Sequence, residues 1–140
     1  MKILVAVDGS KYTRRMLAYL AAHDEWLGSQ HQYTVFNGVL AVPHRAAAFA
    51  DPQVVKGYYD AEAQAVLKPI RAFFQKQGLD ASFVHKVGHP AEMIARKADA
   101  GRFDLLVMGS HGHGLLANLV LGSVVTKVLA NCATPVLLVR

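Results

Sequence analysis

Cysteine occurs once in this chain, at Cys132, and tryptophan once, at Trp26. A lone thiol cannot close an internal disulfide, so the fold must be held by its core, and such usage fits a reducing compartment, expected here to be the cytoplasm. Also missing is any uncharged apolar run of the roughly 18 residues that a membrane span requires. The chain opens on the strand-like Ile3-Leu4-Val5-Ala6-Val7, without the longer apolar core and small-residue cleavage site of a secretory signal. No membrane partner is therefore expected. Basic residues exceed acidic ones, 15 Lys+Arg against 10 Asp+Glu, yet they are dispersed and form no block with interleaved aromatics. That distribution argues against a dedicated nucleic-acid site.

What is present is a 140-residue chain that is 53% hydrophobic, enough for one well-buried domain over residues 1–140 and too little for two. Five strand-like segments alternate with helical ones. Lys2 to Val7 is followed by Asp8-Gly9-Ser10, with Ser10 as a natural N-cap for a helix over about 12–22. Tyr33 to Val42 reads as the second strand, stopped by Pro43. Residues 43–52 lack a period and are expected to form a loop over the functional site. A helix is expected over 53–77, kinked or broken at Pro69 because proline removes a backbone donor. Ala81 to Val87 is the third strand, and Pro90 opens a helix to about Ala100. A fourth strand at Leu105 to Met108, a helix over about 123–131 and a strand at 135–139 complete a βαβαβαβαβ order. Such alternation implies a parallel sheet, doubly wound, with helices on both faces and right-handed crossovers.

The strand at 105–108 runs into Gly109, Gly112 and Gly114, and Gly122-Ser123 opens the next helix. Glycines without Cβ atoms let backbone N–H groups converge on an anion, and a helix N-terminus adds its dipole and free amides. A phosphate cradle is the expectation. Asp8 stands at the carboxyl end of strand one, where open α/β sheets bind ligands at the point of strand-order reversal; its alternative role is to satisfy backbone N–H groups in the turn. His111 and His113 bracket Gly112, but two imidazoles without a third ligand make a poor metal site. They are read as loop or phosphate neighbours.

The spacing Gly109-x2-Gly112-x9-Gly122-Ser123 is neither a Walker A loop nor a dinucleotide fingerprint. It resembles the ATP-binding branch of the universal stress protein family, which has this G-x2-G-x9-G-[S/T] pattern. The likeness continues in Val5-Ala6-Val7-Asp8-Gly9-Ser10, in Val87-Gly88-His89-Pro90-Ala91 and in Cys132-Ala133-Thr134-Pro135-Val136-Leu137-Leu138-Val139. The resemblance implies an open, Rossmann-like sheet of five parallel strands in order 3-2-1-4-5. It also implies bound ATP, with Mg2+ between the phosphates. Gly109, Gly112, Gly122, Ser123 and the Val124 N–H would then hold phosphate, Asp8 with Ala6 or Val7 would line the nucleoside edge, Val39 would meet adenine, and Met108 would lie under the ribose or base. A homodimer through the C-terminal strand is implied as well.

Catalytic machinery is not legible, since no loop lysine, no second acidic metal ligand and no Ser-His-Asp spacing is present. The expected role is a nucleotide-responsive regulatory or stress-resistance protein. The alternatives are a slow ATPase or other nucleotide-using enzyme on the same scaffold, and an interaction module that holds no nucleotide.

Overall fold

The computed structural model describes residues 1–114 and 118–140. Its elements are β1 (Lys2–Val7), α1 (Lys11–Ala22), α2 (Asp24–Leu27), β2 (Gln32–Leu40), α3 (His44–Ala48), α4 (Pro52–Lys76), β3 (Ala81–Gly88), α5 (Pro90–Ala100), β4 (Leu105–Gly109), α6 (Ser123–Asn131) and β5 (Val136–Val139). The strands form one sheet in the order β3-β2-β1-β4-β5, and every pairing is parallel. This is the doubly wound topology expected from the alternation of elements.

β1 is central, and residues 3–7 are buried without alternation, as a parallel strand covered on both faces requires. On one face Met16, Leu17 and Leu20 of α1 and Leu67, Ile70 and Phe74 of α4 pack on Ile3, Val5 and Val35. On the other, Ala91, Ile94 and Ala98 of α5 and Val125 and Val128 of α6 pack on Leu4, Phe36 and Leu106. Tyr33 in β2 turns its hydroxyl to the carbonyls of Leu27 and Gly28 at the end of α2. Burial pushes that phenol up to about 12.

Four segments depart from the sequence expectation. Ser10 caps α1 as anticipated, accepting from the Thr13 N–H, but the short α2 that follows carries no periodicity long enough to read. α4 runs unbroken through Pro69. Pro69 and Ala65, whose carbonyl loses its partner, both lie on the exposed side of the helix, so water can satisfy that oxygen while Ala63, Leu67, Ile70 and Phe74 hold the inner face. Residues 43–52 are not a loop throughout, because 44–48 form α3. β2 also stops at Leu40, since the Val42 N–H leaves the sheet and donates to the Tyr59 hydroxyl on α4 at 3.0 Å.

Near the opposite edge, the turn into β5 is tied to α5 by one carboxylate. Asp99 Oδ1 accepts from the Thr134 hydroxyl at 2.8 Å and from the Thr134 N–H at 3.0 Å, and the Ala133 N–H reaches both carboxylate oxygens at 3.2 Å. Cys132 Sγ lies 3.5 Å from the same Oδ1. The Thr134 hydroxyl, followed by the Ala133 N–H, holds this carboxyl below its ordinary value. The unfolded chain then binds the proton more tightly, so the contribution is present above the unfolded carboxylate value and is lost as pH falls through the depressed one. Asp99→Ala is expected to lower the Tm at neutral pH, with the difference from wild type narrowing below pH ~4. Thermal melts across that range test it, and a difference independent of pH would show that the charge is immaterial.

Candidate functional site

Beyond Val7↔Asn37 on one side of β1 and Ala6↔Met108 on the other, the ladders end and the strands part. The crevice lies at the carboxyl ends of the central strands, where crossovers leave to opposite faces. A cavity of about 270 Å³ occupies it. Its floor is apolar, made by Ala6, Met108, Ile94 and Val125 with Pro90 at the start of α5. Its rim is the segment from His111 to Gly114 and the start of α6.

Asp8 enters this rim in a fixed orientation. Its Oδ1 accepts from the Ser10 N–H and from the Thr13 hydroxyl, both at 2.9 Å. Its own N–H donates to Thr13 Oγ1 at 3.1 Å. One oxygen thus serves the turn, and Oδ2 faces the glycine loop. A Cβ on Gly112 would stand 2.7 Å from that Oδ2, so only glycine lets the loop approach the carboxylate this closely. A Cβ on Gly122 would come to 3.0 Å of His111 Cα and 3.4 Å of the Ser110 carbonyl oxygen. Gly109 has a different packing reason, since a Cβ there would meet Tyr12 on α1 at 2.8 Å.

The Gly122 N–H donates to the Ser110 carbonyl at 2.8 Å, pinning the start of α6 against the end of β4. No side chain caps that helix and its first turn holds no acid. The N–H groups of Ser123, Val124 and Val125 lack intrahelical acceptors by their place in the first turn, and all three residues line the cavity. No Lys or Arg is among the described lining residues. An anion here would be met by backbone dipoles and by the Ser123 hydroxyl.

Both imidazoles are engaged by the loop. His111 Nε2 lies 2.7 Å from the Leu119 carbonyl, which it can only donate to, leaving Nδ1 to accept from the Ser110 hydroxyl at 2.8 Å. Its ring also lies 4.9 Å from that of Tyr12. His113 Nε2 donates to the Asp8 carbonyl at 2.7 Å, closing the loop onto β1. Among the described residues, no three His, Cys, Asp or Glu side chains gather as a metal centre.

Of the residues singled out from the sequence, Ala6, Val7, Asp8, Met108, Gly109, Gly112, Gly122, Ser123 and Val124 all line the cavity. Val39 does not. It is buried on the strand position that shares its face with Val35, and its neighbour Gly38 borders the cavity instead. None of residues 43–52 lines it either, so α3 does not cover this site. Thr13, Pro90 and Ile94 were not anticipated; only the C-terminal-end rule, applied to every strand, would have pointed to Pro90 and Ile94 after β3.

A doubly wound parallel sheet with a glycine-rich loop and an uncapped helix N-terminus over its switch point defines an α/β protein with a cavity suited to an anionic ligand. More particularly, the chain belongs to the universal stress protein family, whose model matches residues 1–140. Universal stress protein Slr1230 of Synechocystis sp. is 31% identical over 139 residues, covering 99% of this chain but only 42% of that protein. The universal stress protein encoded in the QAH/OAS sulfhydrylase 3' region of Thermus aquaticus is 34% identical over 142 residues, covering 99% of this chain and 97% of its own length. Among solved structures, the hypothetical protein MJ0577 of Methanocaldococcus jannaschii superposes with a TM-score of 0.83 at 26% identity, over 99% of this chain and 94% of that one. A universal stress protein family protein from Arabidopsis thaliana with AMP bound shares the fold, with a TM-score of 0.69 at 17% identity over 99% and 90% of the two chains.

Proposed function

We propose that residues 1–140 form one adenine-nucleotide-binding domain of the ATP-binding branch of this family, acting as a nucleotide-responsive regulatory or stress-resistance protein in the cytoplasm. The observation that carries this reading is the convergence, on one cavity, of an apolar floor, the Asp8 carboxylate and the unpaired amides at the start of α6. Each part suits a different portion of a nucleotide. Ala6, Met108 and Ile94 offer a surface for the base, Asp8 Oδ2 an acceptor for ribose hydroxyls, and the Ser123, Val124 and Val125 amides a seat for phosphate. The relative from Arabidopsis thaliana with AMP bound supports the ligand class.

ATP is the proposed physiological ligand, with Mg2+. With Asp8 as the one carboxylate at the described rim, the residues suit a cation that takes most of its oxygen ligands from phosphate and water. Such an ion would offset phosphate charge where no Lys or Arg is among the described lining residues. Hydrolysis is not the proposed role. No Lys or Arg is among the described lining residues to stabilise the charge of a transferring phosphoryl group.

β5 lies at the sheet edge, and among the described residues no strand pairs with its outer side. We place a homodimer contact there, since an apolar edge strand is a ready template for a second copy. One preparation tests both claims: sedimentation should give the mass of two chains, and denaturing the same sample should release an adenine nucleotide. A monomer would overturn the dimer. A sample that releases none and binds no added Mg-ATP would overturn the nucleotide.

A further inference from the structure

β2 carries a polar residue where its apolar neighbours would place another hydrophobe. Asn37 is only 4% exposed and shares a strand with the fully buried Val35 and Phe36. Its Nδ2 donates to the Val7 carbonyl at 2.9 Å. The amide orientation is forced, because a carbonyl oxygen can only accept and the opposite assignment would set two oxygens against each other. Oδ1 has no hydrogen-bond partner among the described residues. A buried carboxamide with one oxygen unpaired is a poor way to stabilise a core, where a branched aliphatic side chain would remove the unpaired oxygen and give up only the bond to the Val7 carbonyl.

What Asn37 does is local. The Val7 carbonyl and the Asp8 N–H belong to the same planar peptide group. Asn37 holds its oxygen from β2, and Thr13 Oγ1 holds its nitrogen from α1 at 3.1 Å. This peptide is the last rung before the ladders part, in register as Val7↔Asn37, and it immediately precedes the side chain that faces the glycine loop. With the plane clamped at both ends, the Asp8 Cα cannot swing, and Oδ2 stays at the cavity while Oδ1 serves Ser10 and Thr13.

We infer that Asn37 is a positioning residue for the ligand site, acting through the Val7–Asp8 peptide to hold Asp8 in its binding orientation. The inference deepens the nucleotide reading and rests on it for its affinity readout, but not for its structural one. Asn37→Leu keeps the branching and heavy-atom count of the side chain without the donor and without the unpaired oxygen. It is expected to leave the Tm within about 3 °C of wild type, because the donor lost from the Val7 carbonyl offsets the removal of the unpaired oxygen, while nucleotide affinity falls about tenfold, the net worth of one hydrogen bond.

Two further readouts separate positioning from general loosening. Amide exchange at Asp8, Gly9 and Ser10 should accelerate about tenfold in Asn37→Leu, with Ile3 to Val5 unchanged. In a double-mutant cycle with Asp8→Ala, the affinity losses should be strongly non-additive, since both changes remove the same held carboxylate. Equal affinity in Asn37→Leu and wild type, additive losses, or exchange that rises uniformly across β1 would overturn the inference. If Asn37→Leu fails to fold, Asn37→Ser supplies the same exchange and affinity comparisons without overfilling the core. If wild type binds no nucleotide, the functional reading falls and the exchange pattern alone decides the role of Asn37.

Discussion

Gly122→Val is expected to weaken Mg-ATP binding by a factor of about 10 to 100 while leaving the fold intact. The Gly122 backbone is extended, with φ −71° and ψ 163°, so valine can adopt it and the penalty is steric. A Cβ there already crowds the Ser110–His111 backbone, and valine adds two methyl groups beyond it. That backbone accepts the Gly122 N–H, so it must shift together with the start of α6, and the first amides of the helix turn away from the cavity. Overpacking of this kind costs about 1–3 kcal/mol. The readout is the ligand-induced rise in Tm. At a concentration near 100 times the dissociation constant, wild type should gain about 10 °C. At that same concentration the variant should gain only about 2 °C if its affinity is a hundredfold lower. Equal gains would mean that phosphate does not bind at the α6 N-terminus.

The largest effect on stability is expected from Phe36→Ala. Phe36 is fully buried at the centre of β2, in the cluster that includes Leu4, Ala91, Ile94, Leu106 and Met108. Removing its ring deletes the transfer energy of a large side chain and leaves a cavity between the sheet and α5 that a parallel sheet cannot collapse to fill. The cost is about 3–5 kcal/mol, a large share of the roughly 5–15 kcal/mol that holds a domain folded. Denaturant unfolding should show the midpoint falling with an unchanged slope. Leu129→Ala, on the exposed side of α6 at 42% exposure, should by contrast stay within about 0.5 kcal/mol of wild type. A small loss for Phe36→Ala would mean that α5 closes onto the sheet more readily than its packing implies.

How far the site could be read before folding differs residue by residue. The glycine spacing marks Gly112, Gly122 and Ser123 because a phosphate cradle needs missing Cβ atoms and a helix start at fixed separations. Asp8 is legible from its place at the end of the first strand. Val39 illustrates the limit, because a one-residue shift along a strand exchanges its two faces, and residue numbers alone do not say which of Gly38 and Val39 turns to the crevice. Pro69 is another such case: proline's local rule is sound, but whether it breaks a helix depends on which side of α4 is wet. Asn37 carries no signal of its role in the sequence, because its partner at Val7 lies 30 residues away and only strand pairing brings them together.

Local chemistry in the chain therefore determined the kinds and order of elements, the parallel doubly wound class and the glycine loop, because periodicity, turn residues and helix caps act over a few neighbours. Only the tertiary structure decided that Asp8, the loop and the start of α6 share one cavity, that α3 stays away from it, and that the Val7–Asp8 peptide is clamped between Asn37 and Thr13. Those outcomes depend on strand register and on the orientation of side chains across the sheet, which are set by packing between segments far apart in the sequence.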